Sequence, residues 1–134
     1  MVDQLSVKYP VPGLTLGYLP PVARSATPDP EGSDGGKAPY WSWGYGWSFG
    51  PETSHQWADV TVNCGPGYAT PQALMRQGIL PRNSTRKVVN GYTTYFEHGN
   101  LSAYMWVQPN TALLVQAYPQ YLAKVVDGIR AAKV

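Results

Sequence analysis

The chain has 134 residues, 43% of them hydrophobic, which is room for one domain with one core rather than two. Only 13% are Asp, Glu, Lys or Arg, about half the ~25% common in soluble domains, and ten basic against eight acidic residues leave a net charge of +2. The cations are scattered, Arg82, Arg86 and Lys87 forming the densest group, which argues against a nucleic-acid partner. No apolar run approaches the ~20 residues of a membrane span, and the single Cys64 rules out an intrachain disulfide. Met1-Val2-Asp3-Gln4 does not open a secretory leader pattern, which leaves a cytosolic chain or one whose leader has been removed. Low charge with many Thr, Asn, Trp and Tyr favours the extracytoplasmic or secreted alternative, or a virion protein.

Prolines extend residues 7–13, and Leu14 to Tyr18 alternates like a short strand that Pro20-Pro21 stops. Residues 24–39 (RSATPDPEGSDGGKAP) hold no large apolar side chain, so a mobile surface loop is expected there within a single domain spanning 1–134. Residues 40–49 (YWSWGYGWSF) then follow strict period two. Trp41, Trp43, Tyr45, Trp47 and Phe49 share one strand face, while Ser42, Gly44, Gly46 and Ser48 leave the other nearly bare. A bare face admits another backbone or a ligand at close range.

Residues 57–64 read as a further strand, closed by Gly65-Pro66-Gly67. Thr70 at an N-cap, Pro71 at the first helical position and Gly78 just past the end mark a short helix. Residues 86–97 form a strand with a bulge or turn at Asn90-Gly91, and turns at 98–100 and Pro109-Asn110 make an antiparallel three-strand meander with 101–108 and 111–117. From Pro119 the period changes. Leu122, Val125, Val126 and Ile129 fall at helical spacing, opposite Gln120, Lys124, Asp127 and Arg130. The expected fold is therefore α+β: an antiparallel sheet with a short central helix and a C-terminal amphipathic helix packed on one face.

The last third of the chain resembles bacterial extracytoplasmic domains related to lipoprotein carriers and anti-sigma-factor-associated sensors. The likeness is carried by Val88-Val89-Asn90-Gly91-Tyr92, Ser102-Ala103-Tyr104-Met105-Trp106, Leu113-Leu114-Val115-Gln116-Ala117 and a helix over residues 120–132. That resemblance implies a noncatalytic binding or sensing domain outside the cytoplasmic membrane.

Several residues could carry chemistry. Trp41, Trp43, Tyr45 and Trp47 are the candidate binding residues, as a stacking platform for sugars. A small domain must also spend aromatics on packing, so the same face could be core; Trp43 and Trp47 are assigned to core and Trp41 to the rim. Cys64 with His55 or His98 would make a nucleophilic dyad, against the usual role of such a cysteine as a small buried hydrophobe. Glu52, His55, Asp59, Glu97 and His98 lack the tight spacing of a zinc site, and no metal or other cofactor is expected. Asp59 and Glu97 are the carboxylates whose pKa burial could raise, and Asp59 could equally sit on a solvent face of its strand. Asn83-Ser84-Thr85 and Asn100-Leu101-Ser102 are glycosylation sequons of consequence only in a eukaryotic secretory setting.

These features point to a noncatalytic extracytoplasmic binding domain acting through an aromatic-rich sheet surface or a groove, with a protein, a glycan or an apolar molecule as partner and oligomers possible. The alternatives are a structural protein of an assembly, such as a virion decoration or capsid-associated protein, and a small enzyme with an aromatic-lined pocket.

Overall fold

A computed structural model describes residues 15–25, 29–35, 38–40, 42–98 and 101–130. Strong turn signals and period-two stretches dominate the chain, and they build one seven-stranded antiparallel sheet. In chain order the elements are β1 (Thr15–Leu16), α1 (Pro21–Ser25), β2 (Asp29–Gly35), β3 (Ser42–Phe49), β4 (Ala58–Cys64), α2 (Pro71–Arg76), β5 (Thr85–Val89), β6 (Tyr92–Phe96), β7 (Ser102–Gln108), β8 (Thr111–Ala117), α3 (Pro119–Asp127) and β9 (Ile129–Arg130). The large sheet has the order β2-β3-β4-β8-β7-β6-β5, and β1 pairs separately with β9.

The turns obey their residues. Asn90 and Gly91 adopt φ of 55° and 85°, the paired left-handed conformation of a two-residue hairpin, so residues 85–96 form two strands. Thr70 caps α2 by accepting from the Ala73 amide at 3.1 Å. The meander is thus four strands from β5 to β8, one more than the three expected, because the Asn-Gly pair is a full reversal.

One sheet face is the main core. Val60, Val62, Leu113, Val115, Ala103 and Met105 lie on it, and Leu122, Val125 and Val126 of α3 cover it. The helix is shorter than the expected 120–132. It ends at Asp127, and Gly128 brings the chain round so that Ile129 and Arg130 pair with β1. Ile129 stays fully buried, as its place in the apolar stripe requires, but from a strand. The opposite face carries a smaller cluster in which Leu74 and Leu80 pack on Tyr104, with Tyr95, Trp106 and Leu114 beside it.

The stretch 24–39, expected as a loop, is in part regular. Asp29–Gly35 pairs along its length with β3, from Asp29↔Ser48 to Gly35↔Ser42, as the edge strand of the sheet. Backbone ladder bonds need no apolar anchor, which is why a composition without large side chains still yields a strand. Residues 26–28 and 36–37 of that stretch lie outside the described residues.

Candidate functional site

The aromatic run was the leading candidate. Trp47 and Phe49 are 8% and 2% exposed and belong to the main core. Trp43 and Tyr45 are backbone partners of Cys64 and Val62 across the β3–β4 ladder, and Trp41 lies outside the described residues. The bare positions opposite them are occupied from within. The Asn63 side chain lies over Gly44, and the Thr61 side chain lies over Gly46, where an added Cβ would stand 2.6 Å from the Thr61 Cα. It is the neighbouring strand that uses this close approach.

The nucleophile reading fails on geometry. Cys64 is buried and its sulfur meets the Thr111 hydroxyl at 3.7 Å. Burial pushes the thiol up, away from the reactive thiolate. Both histidines are engaged elsewhere: His55 stacks on Tyr118 with ring centroids 4.6 Å apart, and His98 Nε2 shares a 2.7 Å hydrogen bond with the Thr85 hydroxyl. Among the described residues no group of three His, Cys, Asp or Glu side chains could hold a metal ion. Nor, among them, is any helix long and apolar enough to cross a membrane.

What the fold does assemble is a polar row on the outer face. Register aligns Ser48 with Asp59, Asp59 with Gln116, and Gln116 with Ser102, across β3, β4, β8 and β7. Directly opposed residues of an antiparallel pair share a face, so these four side chains lie side by side. Ser48 Oγ donates to Asp59 Oδ1 at 2.6 Å, and Gln116 Nε2 donates to Ser102 Oγ at 3.2 Å. The row continues into Glu97, whose amide donates to the Ser102 carbonyl at 3.1 Å. Ser48, Asp59, Gln116 and Glu97 are all half-buried.

Aromatic groups flank the row. Tyr118 follows Gln116 by two residues and carries the His55 ring, while Tyr104 lies one outward position along β7 from Ser102. His55 holds a left-handed φ of 58°, a strained conformation for a side-chain-bearing residue. Burial pushes the Tyr104 hydroxyl far above its ordinary range, and the charge of Glu97 and the neighbouring Tyr68 add to that shift. Tyr104 is therefore a neutral phenol throughout the physiological range.

Asp59 and Glu97 were legible as candidates from sequence; Ser48, Gln116 and Ser102 were missed. Their signal was alternation. Asp59-Val60-Thr61-Val62-Asn63 places a polar side chain at every outward position, and Gln116 interrupts the apolar run of β8 at the matching register. Scans against protein-family models, curated proteins and solved structures find no match to this chain.

Proposed function

We propose that this chain is a noncatalytic extracytoplasmic binding domain whose ligand lies across the outer sheet face, along Ser48, Asp59, Gln116, Ser102 and Glu97. The observation that carries this reading is the register itself, which sets half-buried Ser48, Asp59 and Gln116 and the more deeply buried Ser102 side by side across adjacent strands. Carboxylates accept hydrogen bonds, a carboxamide donates and accepts, and hydroxyls do both, which matches the vicinal hydroxyls of a saccharide. The two carboxylates would repel phosphate, and the Tyr118–His55 stack offers a flat surface beside the polar groups. Low charge and the resemblance of the C-terminal third to lipoprotein-carrier-like and anti-sigma-associated domains support the extracytoplasmic part of the reading.

Titration of isotope-labelled protein with a panel of neutral oligosaccharides tests it. Amide shifts should move at residues 59, 102 and 116 and at Tyr118, and Asp59→Asn with Gln116→Ala should abolish them while the thermal midpoint stays close to the parent. Shift changes confined to other surfaces, or saturable binding untouched by both substitutions, would remove this face from consideration.

A further inference from the structure

Among the described residues the large sheet is open, and the strands at its two edges differ in sequence charge. At one edge, β2 (Asp29–Gly35) contains Asp29, Glu31 and Asp34 and no cation. At the other, β5 (Thr85–Val89) contains Arg86 and Lys87 and no acid, and Arg82 precedes it. In a chain with only eight acidic and ten basic residues, that segregation takes a large share of the total. Arg86 and Lys87 are exposed, and Val88 beside them is 61% exposed, the most of any large apolar side chain described.

An edge strand presents unpaired amides and carbonyls that a further strand can join, and charges are the usual guard against this. A guard would work with one sign on both edges. Opposite signs do something else: they repel like edges and attract unlike ones. The Asn90-Gly91 hairpin, closed by the Val89↔Tyr92 pair, turns the backbone of Arg86 and Val88 outward, so β5 offers both donors and acceptors. Pro30 withholds one donor from β2, as prolines on edge strands do, and its carbonyls still accept.

We propose that the occupant of the β5 edge is the β2 edge of a second copy of this chain, extending the antiparallel sheet from molecule to molecule. Such a contact is heterologous, since it joins two different surfaces and leaves one acidic and one basic edge free. Assembly therefore runs head to tail, the behaviour of a structural component of an array. It uses neither Asp59 nor Gln116, so it stands or falls apart from ligand binding on the outer face.

Light scattering after size exclusion, over rising concentration at low and high salt, tests the idea on the unmodified chain. The expected result is a mass of about twice the 14.7 kDa of the single chain or more at low salt, returning to the single chain in about 1 M salt, where screening is within ~3 Å. R86E/K87E should remain monomeric alone, yet shorten the native assemblies when mixed in, because its acidic edge still docks. Adding D29K/E31K/D34K to R86E/K87E should restore self-association with the charges exchanged. A native chain that stays monomeric at every concentration and salt overturns the proposal, as does an R86E/K87E chain that associates like the parent or a five-fold variant that folds without associating.

Discussion

Trp47 shows how a single side chain can be buried and still poorly served. Its ring is packed in the main core, yet Nε1 has no hydrogen-bond partner there. A buried donor left unmade costs about 1–3 kcal/mol, so Trp47→Phe should cost less than its loss of volume implies. Trp47→Ala should cost about 3–5 kcal/mol through the cavity it leaves. Chemical denaturation of both variants checks the pair; equal costs would mean that the indole N–H is not the weak point. Burial raises the folded-state pKa of Cys64 from an ordinary 9.0, and those of Tyr68 and Tyr104 from an ordinary 10.0. Above those values the unfolded chain has released protons that the folded chain still holds, so it binds fewer, and stability falls as pH rises. On these groups' account the melting midpoint should begin to decline above about pH 9, with Tyr104→Phe removing part of the decline above pH 10. The same burial makes native Cys64 slow to alkylate until the chain is unfolded.

The Asn90 side chain sits at the β5–β6 turn and donates from Nδ2 to the carbonyls of Asp127 and Ile129, each at 2.9 Å. One amide thus ties the hairpin to the end of α3 and the start of β9. Asn90→Asp keeps a residue that tolerates the left-handed turn but sets a carboxylate against two carbonyl oxygens. A loss of about 1–3 kcal/mol is expected, with faster amide exchange at residues 127–130 as the local readout. Packing of α3 is the sterner test. Val126 is fully buried against the sheet, so Val126→Asp should cost about 3–5 kcal/mol in a denaturant melt. An unchanged midpoint would mean that the helix is not seated there.

The sheet carries the main core on one face, a smaller apolar cluster beside the polar row on the other, and edges that decide what else can join. The edge strand β2 was unreadable from side-chain pattern, because it is held by ladder bonds to β3. Deleting residues 29–35 should therefore lower the thermal midpoint by more than about 5 °C, since it strips one whole strand and bares the edge of β3. A shift of only a degree or two would return that stretch to the status of a tolerated surface loop.

Local chemistry was enough to determine much of this protein. Period two in residues 42–49 and 58–64, the Thr70–Pro71 helix start, the Asn90-Gly91 reversal and the stripe Leu122, Val125, Val126 each specify their own conformation from neighbours in the chain, and the α+β architecture follows. What needed the tertiary structure was every relation between strands distant in sequence. That Asn63 and Thr61 fill the space over the glycines of β3, that Ile129 leaves the helix to pair with β1, and that Ser48, Asp59, Gln116 and Ser102 fall into one row depend on contacts between segments distant in sequence. Register is set by burying one face of all the strands at once, a global condition that no local stretch of residues contains.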